Sequence, residues 1–100
     1  MTVHTILLVQ PKGIGSRTFK DFETVGEALD AVCKMYEHRL KQQNPTKKHI
    51  NYGIEDLWEY IDGLGDLCAL VFSKQKGAYE PYPKDWIKQK VHNRLMRQVA

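Results

Sequence analysis

Apolar residues follow two different periods along this chain, and the switches between them outline its elements. Residues 3–10 (VHTILLVQ) are rich in β-branched and aliphatic side chains and stop at Pro11, the pattern of a strand. The loop 11–16 reverses the chain, and residues 17–22 (RTFKDF) read as a shorter second strand that completes a hairpin. Thr24 stands three residues before Glu27, the spacing at which both side chains can satisfy free N–H groups at a helix start. Val25, Leu29, Val32, Tyr36 and Leu40 then recur at helical spacing as the expected buried stripe, widened by Ala28 and Met35. Asn44-Pro45 ends this helix, because proline donates no hydrogen bond and pushes its predecessor out of helical geometry.

Residues 46–53, with Lys47, Lys48 and His49, are expected to form a mobile polar connection. Residues 54–64 predict a short second helix with Ile54, Leu57, Trp58 and Ile61 inward and Glu55, Asp56, Glu59 and Asp62 outward; Gly63 and Gly65 mark its end. The unbroken apolar run 67–73 (LCALVFS) suits a central strand. After a turn at 74–77, residues 78–82 (AYEPY) read as an edge strand, since Pro81 offers no N–H to a second neighbour. Pro83 can start a last helix over residues 84–98, with Trp86, Ile87, Val91 and Leu95 on one face. The order β-β-α-α-β-β-α, in a single domain over residues 1–100, predicts an α+β fold: a four-stranded antiparallel sheet with three amphipathic helices on one face.

The strands carry a complication. A sheet with one wet face should alternate apolar and polar residues. In the first strand Ile6 and Leu8 point one way while Leu7 and Val9 point the other; in the third, Cys68, Leu70 and Phe72 oppose Leu67, Ala69 and Val71. Both faces are apolar, and three helices can cover only one. A face of several hundred Å² left wet would be unusual for a monomer, and at about 25 cal/mol per Å² would forgo many kcal/mol of burial. A second copy related by a two-fold axis is the simplest cover; the alternative is a helix or hairpin loop folded across the second face.

Bulk properties narrow the picture further. One hundred residues is the size of one domain, and a net charge of +3 is mild for a chain that must grip nucleic acid unaided. Cys33 and Cys68 each sit in an apolar stretch and read as reduced thiols, not as a disulfide framework. The start lacks the basic leader and long apolar run of a signal peptide, and no run is long enough to span a bilayer, so a soluble intracellular protein with no membrane role is expected.

Chemistry is sparse. Gly13-Ile14-Gly15-Ser16 follows a strand as a phosphate loop would, yet leads into another strand and not a helix, so it reads as a hairpin loop. His4, His38, His49 and His92 have no metal-ligand spacing, and no Ser-His-acid or Cys-His set is suggested locally; no catalytic residue, metal or cofactor is assigned. The acids at Glu55, Asp56, Glu59 and Asp62 trace a solvated helix face. The last helix carries Lys84, Lys88, Lys90, Arg94 and Arg97 against Asp85, which leaves direct RNA binding as an alternative reading. Thr18 and Thr24 each precede an acid by three residues, as at an acid-directed kinase site, although Thr24 also reads as the helix cap. Cys33, Met35, Tyr36, Trp58 and Tyr60 exceed what one sheet face needs, and could line a groove for a partner's short apolar segment.

Several blocks, in order, resemble the enhancer of rudimentary family of small nuclear proteins over essentially the whole chain. They are HTILLVQ at 4–10, Arg17-Thr18-Phe19, Asp21-Phe22-Glu23, VCKMYE at 32–37, Asp66-Leu67 with Leu70-Val71, Tyr79 with Pro81-Tyr82, and KDWIK at 84–88. The resemblance implies the same α+β fold, a homodimer joined through the sheets, and a non-catalytic adaptor role. The clients would be short segments of proteins in transcription, nuclear RNA processing and small-RNA biogenesis, in the nucleus or cytoplasm, with RNA met only indirectly. It places Ile6, Leu8, Leu70 and Tyr79 at the dimer face. Phe19, Phe22 and Phe72 stand where the family is expected to have tyrosines, Gly63, Gly65 and Ala69 also differ, and the first loop is shorter, as in a specialised member with its own partner.

Overall fold

The computed structural model describes residues 3–47 and 52–99, with side chains described as far as Met96. Seven regular elements appear in the expected order: strands β1 (Thr5–Gln10) and β2 (Thr18–Phe22), helices α1 (Val25–Gln43) and α2 (Ile54–Gly63), strands β3 (Asp66–Ser73) and β4 (Ala78–Tyr82), and helix α3 (Lys84–Val99). Several boundaries differ from expectation by one or two residues: α2 stops at Gly63, β3 begins at Asp66 and α3 runs to Val99. Val3 and His4 precede β1, and Arg17 falls outside β2 because its backbone closes a short 3-10 turn, Ile14–Ser16, that the sequence pattern did not reveal. Residues 48–51 of the polar connection lie outside the described residues.

The strands pair antiparallel in the order β2-β1-β3-β4, so the two most apolar strands are central and β4, with Pro81, is an edge. Leu7 faces Lys20 and Ala69; Leu8 faces Phe19 and Cys68; Ile6 faces Asp21 and Leu70. Across the other seam Leu70 faces Pro81 and Phe72 faces Tyr79. Opposed residues share a face, so this register sorts the sheet into two sides.

All three helices pack on the side of Leu7, Val9, Leu67 and Ala69, which are buried with Leu29, Val32, Leu57, Ile61, Leu64, Ile87 and Val91. Helix α1 lies against β1 and β2, α3 against β3, and α2 bridges the other two helices. The shortest principal extent is 20 Å, the thickness of one sheet and one helix layer.

The helix starts follow local chemistry. Thr24 Oγ1 accepts the Glu27 N–H at 3.1 Å, as expected, but the Glu27 carboxylate accepts the N–H of Glu23 at 3.2 Å, one residue upstream of the cap. At α2 the Asp56 carboxylate accepts the Gly53 N–H at 3.0 Å. One inward assignment is corrected: Trp58 is only half-buried, its indole N–H donating to the Lys88 carbonyl at 3.3 Å, so it seals the α2–α3 seam and not the core. The cause is width, since Leu57 and Ile61 already fill the central line of α2.

Gly65 lets the chain pass close beneath the first hairpin. A β-carbon there would collide with the Lys12 and Gln10 carbonyl oxygens, and its N–H donates to the Pro11 carbonyl at 3.3 Å. The hairpin loop is thereby tied to the start of β3 and does not fold across the second sheet face.

Candidate functional site

The side of the sheet away from the helices carries Ile6 and Leu8 on β1, Phe19 and Asp21 on β2, Cys68, Leu70 and Phe72 on β3, and Tyr79 and Pro81 on β4. Neither a helix nor the first hairpin loop crosses it among the described residues. Ile6, Leu8, Leu70 and Tyr79, expected on one face, do share it. Sequence reasoning missed Phe19, which is 59% exposed and stands directly across from Leu8. Its charged neighbours in the sequence hid it, and only the register shows that it extends the apolar face to the edge strand. At one corner Phe72 and Tyr79 pack edge to face, with ring centroids 5.3 Å apart. The face is thus apolar over its centre and three of its corners, with the carboxylates of Asp21 on β2 and Asp66 on β3 at opposite ends of it.

The five residues expected to line a client groove are not brought together. Tyr36 and Tyr60 do meet, with centroids 5.0 Å apart, and Tyr52 joins them against Tyr36 at 5.0 Å. Tyr52 donates to the Glu37 carboxylate at 3.1 Å, and Arg39 lies over the Tyr60 ring at 5.8 Å. Burial, above all, raises the phenols of Tyr36, Tyr52 and Tyr60, with acidic neighbours adding to the effect at Tyr36 and Tyr52. Cys33 instead lines a separate cleft of about 250 Å³ with Asp30, Glu37, Arg94 and Leu95. Its thiol is pushed up to about 11, first by burial and then by Glu37 and Asp30. Met35 packs half-buried on the core, and Trp58 lies on the α2–α3 seam.

The basic residues of α3 are largely engaged within the chain. Lys84 Nζ donates to the Leu64 carbonyl at 2.6 Å, where it caps the end of α2. Lys88 pairs with Asp62 at 3.0 Å and lies over the Trp58 ring at 5.3 Å; Lys90 lies 5.7 Å from the centre of the Trp86 ring. Arg94 is bonded to Asp30. Thr18 is exposed at the sheet edge, whereas the Thr24 hydroxyl is held at the helix cap. Both cysteines are free, one in the helix layer and one on the open face. Among the described residues no three His, Cys, Asp or Glu side chains come together as metal ligands, and no helix is long and apolar enough to cross a membrane.

Comparison with known proteins decides the ancestry of this arrangement. A profile of the family described as Enhancer of rudimentary matches residues 1–100. The chain belongs to the enhancer of rudimentary family. It is 48% identical over 95 residues to an enhancer of rudimentary homolog of Dictyostelium discoideum, covering 94% of this chain and 95% of that one. It is 46% identical over 95 residues to a homolog of Arabidopsis thaliana, covering 94% of this chain and 87% of the relative. It is 48% identical over 98 residues to the protein enhancer of rudimentary of Drosophila virilis, covering 97% and 93%. The enhancer of rudimentary match thus runs through every element of the fold, including all four strands that build the open face.

Proposed function

We propose that this protein is a non-catalytic homodimeric adaptor. Two copies join through their open sheet faces, and the paired molecule holds short segments of proteins that act in nuclear RNA processing, small-RNA biogenesis or transcription control, in the nucleus or the cytoplasm.

The observation that carries this reading is the uncovered apolar face. Four strands of five to eight residues span roughly 350 Å² in projection, and burying that area contributes about 9 kcal/mol per copy. Two such faces together outweigh an association cost of about 4–15 kcal/mol. A second copy fits better than an unrelated cover because both faces have the same slightly twisted shape and apolar content, so a two-fold axis matches them without further design. The client segment is assigned to the Tyr36, Tyr52 and Tyr60 cluster between α1 and α2, where half-buried rings remain accessible on the helix side and leave the sheet face free for pairing.

Direct RNA binding through α3 is the weaker reading. Lys84, Lys88, Lys90 and Arg94 are each turned to a partner within the chain, and a phosphate would have to displace those contacts. Salt-dependent binding of a generic RNA by the purified protein, lost in a Lys88→Gln, Lys90→Gln, Arg94→Gln variant, would revive it.

Sedimentation velocity of the wild type beside Leu8→Arg tests the adaptor reading. The wild type is expected at dimer mass and Leu8→Arg at monomer mass, still folded by circular dichroism, because an unpaired guanidinium cannot be buried in that seam. A well-packed wild-type monomer at high concentration would sink it. Affinity capture with both forms then identifies clients and shows which of them need the pair.

A further inference from the structure

His4 lies at one corner of the open face. Its carbonyl accepts the Phe72 N–H at 3.0 Å, extending the β1–β3 ladder by one step. Its side chain therefore shares the parity of Ile6 and Leu8. Nδ1 is 2.6 Å from the Tyr79 hydroxyl, and the two rings meet edge to face with centroids 5.7 Å apart. Tyr79 in turn packs against Phe72. An imidazole and a phenol thus form a hydrogen-bonded pair on the surface assigned to dimerisation.

We propose that His4 makes the pairing of two copies pH-sensitive, so that acid releases the dimer. This rests on the sheet-to-sheet dimer proposed above. A neutral imidazole offers Nδ1 as acceptor to the Tyr79 proton, and such a neutral pair can enter an apolar seam with its hydrogen bond intact. A protonated imidazole carries N–H at both ring nitrogens. Nδ1 can then no longer accept from Tyr79, and a full charge must lose its water to be enclosed beside Phe72 and Ile6.

The surrounding charges decide whether that cost can be offset. From β3 the neighbour is Phe72, and from β4 it is Tyr79, neither of them a carboxylate. On β2 Asp21 shares the face but stands opposite Ile6, and Glu23 follows at the same end, its backbone N–H bonded to Glu27. Glu80 has the opposite parity and pairs with Lys76 at 3.3 Å, and Arg17 at the far end is bonded to Gln10. The helices lie on the other side of the sheet. Among the described residues His4 takes part in no ion pair, so Asp21 and Glu23 are the groups that could favour its cation.

The sign follows from linkage. The dimer favours the neutral imidazole, so protons bind the monomer better. Association is therefore strongest where the imidazole is neutral and weakens as falling pH protonates it. Two imidazoles enter each dimer, so the apparent Kd can rise by up to about a hundredfold per pH unit on the acid side.

Sedimentation equilibrium between pH 8 and pH 5 at fixed ionic strength, with circular dichroism at each pH, tests this on wild type, His4→Gln and His4→Asn. Only the backbone of His4 serves the ladder, so both replacements should leave the fold intact. The wild-type Kd is expected to rise at least about tenfold by pH 5.5 while both variants stay within about twofold across the range. A flat wild-type profile, a dimer tightened by acid, or variants with the wild-type slope would overturn the proposal and leave the dimer standing. A wild-type monomer at pH 8 would instead overturn the dimer reading itself.

Discussion

The guanidinium of Arg94 on α3 grips the carboxylate of Asp30 on α1 through two bonds, Nε to Oδ1 at 2.7 Å and Nη2 to Oδ2 at 2.9 Å. It joins two helices that are 64 residues apart in the chain at this contact. The bond to Arg94 holds the Asp30 carboxyl below the ordinary carboxylate value, outweighing the opposing effect of burial. A depressed value means stability that is present above about pH 4 and lost as pH falls through the folded value. Both side chains are partly exposed, so Arg94→Met should cost only about 0.5–1 kcal/mol in urea unfolding at pH 7. That difference should shrink toward zero near pH 2, and the Asp30 resonance should titrate at a higher pH in the variant.

Gly26 is the neighbour that makes room for this grip. A β-carbon there would come within 2.9 Å of Arg94 Nη1. Alanine gains up to about 1 kcal/mol of helix propensity but displaces the guanidinium. Gly26→Ala should be near neutral in the wild type and stabilising by about 0.5–1 kcal/mol in Arg94→Met. Equal effects in both backgrounds would show that the two positions are not coupled.

Gly65 should tolerate nothing larger. The obstacles to a β-carbon are main-chain carbonyls of Gln10 and Lys12, which cannot swing aside as a side chain can. Gly65→Ala should lower stability by about 2–4 kcal/mol, a large loss for a surface glycine, read as a shift in the urea midpoint. Gly63→Ala, with open space around its α-carbon, serves as the quiet control.

The Thr24 hydroxyl holds one of the free N–H groups of α1. Thr24→Ala should cost about 1 kcal/mol and Thr24→Asp should recover most of it, since a carboxylate caps as well. The same engagement bears on modification. Incubated with an acid-directed kinase, the folded protein is expected to take phosphate on exposed Thr18 well before Thr24, by mass spectrometry of its peptides.

The cysteines give a readout of pairing. With the Cys33 thiol at about 11 against an ordinary 9.0, its thiolate fraction near pH 8 is about a hundredfold below that of a free thiol, and iodoacetamide labelling should slow in proportion. Cys68 is raised as well, chiefly by burial. In the dimer proposed here it is further enclosed, so Cys68 should react faster in Leu8→Arg than in wild type while Cys33 is unchanged. Equal Cys68 rates in the two proteins would count against the open face as the interface.

Much of the fold was written locally. Thr24 with Glu27, Asn44 before Pro45, and Pro81 in an apolar strand each act through neighbours a few residues away, so they fix helix ends and an edge strand whatever the rest of the chain does. The double parity of Ile6, Leu7, Leu8 and Val9 likewise signalled two apolar faces before any contact was known. Phe19 was not legible, because its place beside Leu8 depends on the register of two strands. The expected groove of Cys33, Met35, Tyr36, Trp58 and Tyr60 is divided among three seams and, for Met35, the core, because residues surplus to one helix stripe can turn to either side of it. Tyr52 joined Tyr36 only where α2 returned across α1.

By itself, then, the sequence determined the elements, their order, the apolar character of both sheet faces and the family to which the chain belongs, since these follow from spacing and side-chain type along a short stretch of backbone. Tertiary structure decided which face the helices cover, which cations of α3 are already bound within the chain, and that His4 meets Tyr79 across 75 residues. Those contacts arise when strands and helices choose their partners, and that choice minimises exposed apolar area over the whole molecule and not over any segment of it.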